Sequence, residues 1–260
     1  MVLFFSLVIF LFGLIIGSFI NCLIYRLKNK KSLGGRSFCP KCKKQINWYD
    51  NIPLLSYFLL RAKCRWCREK ISFQYPLVEL ITAILFLVVF LATYNLQLTT
   101  YNLLLILRNW TFTAFLIIIF LYDLKYYLIP DKISLPAMVV ALIFNIFLYN
   151  IFINYLLAAL IAAGFFFLQF IVSRGQWIGG GDIRLGLLIG LMLGWPNVLA
   201  ALIIAYILGS IIGLGLIITK RATMKSQVPL GTFLSVGTLV ALLWSEQIIN
   251  WYLNINLYGF

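Results

Sequence analysis

The 260-residue chain contains no histidine and only seven acidic residues. The first absence excludes Ser-His-Asp triads, HExxH zinc sites and imidazole proton relays. The second makes every carboxylate countable. Charged residues amount to 11% of the chain, against about 25% in an average soluble domain. Apolar residues reach 63% and the mean hydropathy is +1.01. Such a chain is too apolar to enclose one core in water and too hydrophobic for disorder. The imbalance of 21 Lys and Arg against seven acids gives a net charge of +14. A basic balance also fits nucleic-acid binding, so the position of the charges has to decide.

About 20 predominantly apolar residues are needed to span a bilayer. Eight stretches are candidates: 2–25, 76–93, 101–122, 133–149, 152–172, 183–195, 198–219 and 229–249. The sixth is short and glycine-rich. The first has no basic region before it and no small-residue cleavage site, so it reads as a retained helix. With eight spans, 20 of the 21 basic residues fall on one side, 13 of them between Arg26 and Lys70. The exception, Arg108, is expected to snorkel outward from the third span. The positive-inside rule then places the basic side in the cytoplasm and both termini outside. The charge orients helices, and no nucleic-acid partner is expected. The predicted fold is an all-α polytopic membrane protein of about eight transmembrane helices. The predicted domains are helix one (1–26), a cytoplasmic loop (27–75) and a seven-helix membrane core (76–260).

That loop carries Cys39-Pro-Lys-Cys42 and Cys64-Arg-Trp-Cys67, separated by 21 residues. Two such pairs supply four thiolates to a tetrahedral Zn²⁺. Paired disulfides are the rival reading, disfavoured in a reducing cytoplasm. A thioredoxin-like redox site needs one such pair rather than two. An all-cysteine site leaves no open coordination position, so the expected role is structural. Cys22 stands alone in the first span and reads as a small packing residue.

Among the acids, Asp50 and Glu69 lie in the charged loop, where solvated salt bridges are the default. Glu246 is interfacial, and Asp131, after Pro130, reads as an N-cap. Glu79 opens the second span, where a negative charge complements the helix dipole. Asp123 and Asp182 differ, because each sits at the inner end of an apolar segment. Ionisable groups at that depth are costly and are functional candidates by default. Two carboxylates brought close cannot both ionise easily, so one keeps a proton while the other acts as base. That arrangement activates water against a peptide carbonyl. Gly179 and Gly181, beside Asp182, would let a substrate backbone approach. A proton-coupled transporter with paired acids and glycine breaks, or a non-enzymatic scaffold, remains open on these grounds.

Further motifs carry a resemblance. They are Gly17-Ser18-Phe19-Ile20-Asn21, the two cysteine pairs, Tyr49-Asp50-Asn51-Ile52-Pro53 and Gln74-Tyr75-Pro76-Leu77-Val78-Glu79. Asp123-Leu124-Lys125, Leu128-Ile129-Pro130-Asp131, Gly179-Gly180-Gly181-Asp182 and Pro229-Leu230-Gly231-Thr232 follow in order. The sequence resembles the bacterial type IV prepilin peptidases, GxGD membrane aspartic proteases. The resemblance implies catalytic roles for Asp123 and Asp182, and not for Asp131. It implies removal of the basic leader of prepilins or pseudopilins, after a glycine, at the cytoplasmic face of the bacterial inner membrane. Members with the cysteine-rich loop typically also methylate the new N-terminus with S-adenosylmethionine. A peptidase-only member is the alternative. No glycine-rich nucleotide fingerprint follows a strand here, so Glu79 and Asp50 are the candidates for the cofactor site. Arg184 stands where the family often has Lys, and Lys43 where a glycine often follows the first cysteine pair.

Overall fold

The computed structural model describes residues 2–94, 99–148, 152–221, 223 and 228–258. Lys225, counted above among the topological charges, lies outside them. Nine α-helices are found among the described residues, and no β-strand beyond isolated bridges. They are α1 (Val2–Lys28), α2 (Leu55–Leu59), α3 (Gln74–Thr93), α4 (Thr100–Tyr126) and α5 (Asp131–Leu148). Then come α6 (Phe152–Val172), α7 (Gly180–Leu193), α8 (Asn197–Ile218) and α9 (Leu230–Tyr258). All but α2 and α7 are long and apolar enough to cross a membrane, which makes seven such helices. The eight expected spans therefore all appear as helices. The shortest, α7, has 14 residues and a length of about 21 Å at 1.5 Å per residue. That is shorter than a hydrocarbon core of about 30 Å. From Leu185 to Leu193 it is almost wholly enclosed by protein, as befits a helix that is apolar all round.

The chain divides into two compact units, Met1–Tyr94 and Asn95–Phe260. The expected boundary at residue 76 assigns α3 to the membrane core, whereas in the structure α3 packs along α1. Two glycines spaced four apart explain that packing. A Cβ at Gly13 would lie 2.6 Å from the Ala83 Cα, and one at Gly17 would lie 2.6 Å from the Glu79 Cα. Only glycine lets the backbones meet so closely, and in lipid such packing drives association. The outer face of α1 presents Leu3, Phe4, Leu7, Leu11 and Ile15, all exposed. Bare apolar side chains in this number suit contact with acyl chains rather than water.

In the second unit α7 packs on α6, α5 and α9, α8 packs on α9, and α4 packs on α9 and α5. The α6–α7 contact repeats the glycine device. Gly186 faces Phe166, and a Cβ at Gly190 would lie 2.3 Å from the Ala159 Cα. Gly237 does the same for α9 against the Ala201 carbonyl of α8, at 2.4 Å.

Arg108 departs from expectation. It is buried in α4, where its guanidinium donates to the Asn109 side-chain oxygen at 2.9 and 3.0 Å and lies over the Phe112 ring. These contacts lie within α4 itself, so the side chain is held at its own helix.

Candidate active site and metal centre

The apolar runs end before the acids, but the helices do not. Helix α4 continues through Asp123 to Tyr126, and Tyr127 stops it in a left-handed conformation (φ 53°) whose N–H bonds the Asp123 carbonyl. Asp123 is 5% exposed. Its Oδ2 accepts the backbone N–H of Thr232 at 2.8 Å and the Thr232 hydroxyl at 3.2 Å. Thr232 is the third residue of α9, so the carboxylate rests on the positive end of that helix, where orphan N–H groups need acceptors.

Asp182 occupies the third position of α7 and accepts the N–H of Gly179, which precedes the helix, at 3.0 Å. It too sits at a helix N-terminus, that of its own helix. The two acids share a neighbourhood, because Gly181 beside Asp182 and Gly231 beside Asp123 both pack on Ile129. Ile129 fills the space between the surrounding backbones. A Cβ at Gly181 would lie 3.2 Å from the Ile129 Cβ, and one at Gly231 would lie 3.2 Å from its Cδ1. Gly181 is thus small because Ile129 packs on it. Open space lies instead at Gly180, where an added Cβ would meet nothing within 4 Å.

Asp131 is not the N-cap of α5. It is the first helical residue, and the Pro130 carbonyl accepts the N–H groups of Ile133 and Ser134 at 2.9 and 3.0 Å. The Asp131 carboxylate forms an ion pair with Arg184, two residues beyond Asp182. That pair ties the start of α5 to the first turn of α7. Sequence reasoning assigned no role to Gly231, Thr232 or Arg184. The segment Pro229-Leu230-Gly231-Thr232, at the head of an apolar span, was the available signal.

In the first unit the cysteine pairs build two similar knuckles. Cys39 N–H bonds the Lys44 carbonyl at 3.0 Å, and Cys64 N–H bonds the Glu69 carbonyl at 2.8 Å. An antiparallel bridge flanks each knuckle, Phe38 with Gln45 and Lys63 with Lys70. Both chains turn through a left-handed residue directly after the second cysteine, Lys43 and Arg68, each with φ 59°. Lys43 therefore stands where glycine would be conformationally easiest. The four Sγ atoms lie within 4.8 Å of one another, and those of Cys39 and Cys67 are 3.8 Å apart. A tetrahedron with zinc–sulfur bonds of about 2.3 Å has sulfurs about 3.8 Å apart, so the four residues fit the ion. The backbone N–H of Cys67 is the largest influence on the Cys64 thiol, which is lowered to about 7.

A cavity of about 390 Å³ lies within this unit, and both Glu79 and Asp50 line it, with Tyr25, Tyr57 and Trp66 among the aromatic residues. The two acids differ in their surroundings. Asp50 receives both Nε (2.8 Å) and a terminal nitrogen (2.6 Å) of Arg65, a bidentate pair. Its side chain is only 6% exposed, so the expected solvated salt bridge is a largely covered one. Glu79 is 7% exposed and accepts the Leu54 N–H at 2.8 Å. Leu54 has φ 59° and ψ −53°, and the Leu55 N–H bonds back to the Pro53 carbonyl at 2.6 Å. This is a γ-turn of the strained hand, a conformation worth about 1–3 kcal/mol that persists only when neighbours enforce it. Glu79 is one of those neighbours. Cys22, expected to be buried, is only half-buried and lines the same cavity.

Both units match known families. Residues 11–93 match the bacterial peptidase A24 N-terminal domain, and residues 110–214 match the type IV leader peptidase family. The chain is 32% identical over 283 residues to a prepilin leader peptidase/N-methyltransferase of Aeromonas salmonicida, covering 97% of the chain and 94% of that relative. A Legionella pneumophila protein of the same name is 33% identical over 281 residues, at 96% and 95% coverage. One from Bacillus subtilis is 32% identical over 256 residues, at 96% and 98% coverage. No solved structure matches the chain significantly. A polytopic helical protein with two acids at converging helix ends is thereby placed among the membrane peptidases. The chain belongs to the type IV leader peptidase family.

Proposed function

We propose that this protein is a membrane aspartic endopeptidase that removes the basic leader of prepilins or pseudopilins after a glycine, and then methylates the new N-terminus. The observation that supports the reading is that Asp123, near the end of α4, rests against the first turn of α9 while Asp182 stands in the first turn of α7, with both helix starts packed on Ile129. The positive-inside rule puts this end at the cytoplasmic face of the bacterial inner membrane. The substrate's apolar N-terminal helix would dock in the bilayer, with its basic leader at the boundary.

In this mechanism the two aspartates share one proton and hold a water between them. The ionised partner takes a proton from the water as its oxygen attacks the carbonyl before the scissile bond. The protonated partner donates to the developing oxyanion. Collapse of the tetrahedral species breaks the C–N bond, and the amine leaves with a proton, without an acyl-enzyme. Thr232 keeps the Asp123 carboxylate fixed, and the Gly179 N–H does the same for Asp182. Gly179 and Gly181 shape the backbone around the acid, and open space at Gly180 leaves room for a peptide.

Cys39, Cys42, Cys64 and Cys67 would hold a structural zinc that closes the two knuckles on each other. S-adenosylmethionine, when bound, supplies the methyl group for the free amine. Glu79 and Asp50, in the wall of the first unit's cavity, are the residues assigned to that site. The loop 27–75 thus belongs to methyl transfer, and the helices after Tyr94 to peptide cleavage.

Incubating the protein with a prepilin and S-adenosylmethionine, then weighing the product, tests the whole reading. Cleavage after the glycine with a gain of one methyl is expected. Asp123→Asn and Asp182→Asn should each abolish cleavage while the protein stays folded in the membrane. Near-normal processing by either variant, or solute flux in liposomes without cleavage, would overturn the proposal.

A further inference from the structure

We propose that Glu79 is the counter-ion for a cationic centre of the ligand bound in the first unit's cavity, and that Asp50 is a strut of the wall which does not meet that charge. The inference rests on the methyl-transfer reading above and assigns within it what each acid does.

The two acids lining the cavity are electrostatically unequal. The Asp50 carboxylate is closed off by the bidentate Arg65. Glu79 accepts a neutral donor, the Leu54 N–H, at 2.8 Å. Among the described residues, no Lys or Arg forms an ion pair with it. Cations are nevertheless present in the same wall. Arg26 turns its guanidinium to the carbonyls of Leu33, Gly34, Gly35 and Arg36. Lys41 pairs with Glu69, and Lys44 lies over the Trp66 ring at 4.6 Å. Each has a partner other than Glu79, and Lys70, which also lines the cavity, forms no ion pair with Glu79 either.

A carboxylate 7% exposed, bordering a cavity and left without a cation, is an incomplete pair. A cationic ligand completes it. The remaining wall suits the same ligand, because it is rich in aromatic side chains, Tyr57 and Tyr75 among them, of the kind that attract a positive centre. The volume, about 390 Å³, falls within the roughly 300–1,000 Å³ of small-molecule sites. A sulfonium and an α-ammonium are the two cationic centres of S-adenosylmethionine, and either could be the partner.

The test is direct binding to the purified full-length protein, measured calorimetrically with S-adenosylmethionine and with S-adenosylhomocysteine, which lacks the sulfonium but keeps the ammonium. Glu79→Gln preserves the acceptor for Leu54 and removes only the charge. It should weaken binding by about tenfold or more, the range of close buried charge pairs. Loss confined to S-adenosylmethionine assigns the sulfonium, and equal loss of both ligands assigns the ammonium. Unchanged affinity for both ligands in a folded Glu79→Gln protein overturns the proposal. Rescue of binding by Glu79→Asp, which keeps the charge on a shorter arm, separates this from a merely structural role. If the wild-type protein binds neither ligand and leaves its product unmethylated, the methyl-transfer reading itself falls and takes this inference with it. Binding and methylation that are intact in wild type but indifferent to Glu79 sink this inference alone.

Discussion

Gly231→Ala tests the geometry around Asp123 more sharply than removal of the acid. The added Cβ would stand 2.9 Å from Asp123 Oδ2, 3.2 Å from its Cγ and 3.2 Å from the Ile129 Cδ1. Ordinary contact begins near 3.4 Å, so the carboxylate must retreat by about half an ångström. It cannot retreat toward Ile129, which is pressed by the same methyl. The retreat lengthens the bond from the Thr232 N–H, at present 2.8 Å. A misplacement of about 1 Å can lower a rate about 100-fold, so half of that corresponds to about tenfold. The fold should survive, because overpacking by one methyl costs about 1–3 kcal/mol. Alanine also regains up to about 1 kcal/mol over glycine in a helix. We therefore expect kcat for prepilin cleavage to fall about tenfold with KM little changed and thermal unfolding within a few degrees of wild type. Gly213→Ala, on α8 with no atom within 4 Å of the added methyl, is the control and should cleave normally. Wild-type kcat in Gly231→Ala would refute the reasoning, since it would mean that the Asp123 position in this structure does not govern the reaction.

Other perturbations address separate parts of the molecule. Breaking the Asp131–Arg184 pair should change stability by only about 0.2–1 kcal/mol, since both side chains are about half exposed. Either single alanine should still slow cleavage severalfold by loosening the first turn of α7, and the exchanged pair D131R/R184D should restore most of the rate. Gly190→Ala meets backbone at 2.3 Å and should destabilise the second unit by at least about 1–3 kcal/mol, seen as a lowered melting temperature; normal stability would deny the close α6–α7 contact. Gly180→Ala leaves packing untouched, so a raised KM would locate the peptide there and unchanged kinetics would place it elsewhere. Metal analysis should find about one zinc per chain, lost on Cys64→Ser, with methylation lost and cleavage retained; a metal-free protein that methylates normally contradicts the zinc assignment.

The spans were legible because a bilayer demands long, predominantly apolar runs, and few charges interrupt them. Their ends were not, since helices α4 and α7 continue into turns that contain the acids. The cysteine cluster was legible because its chemistry is local, each ligand pair being two residues apart. The partnership of Asp123 with Thr232 spans 109 positions and depends on how α4 meets α9. Nothing in the local sequence states it. The same holds for Arg184 with Asp131, whose partnership spans 53 positions. Glu79 was singled out by its place at a helix start. Its hold on Leu54 depends on a turn conformation that leucine rarely adopts.

The close glycine contacts have a mechanical consequence. With Gly190 against Ala159, and Gly237 against Ala201, neither α7 nor α9 can slide along its partner by one residue without driving a side chain into backbone. Each pair is thereby held in register along its axis, one carrying Asp182 and the other carrying the helix end that grips Asp123. Without slip inside a pair, a change in the spacing of the two acids requires α4, which carries Asp123, to move relative to α7, and a substrate helix wedged beside them would set that spacing.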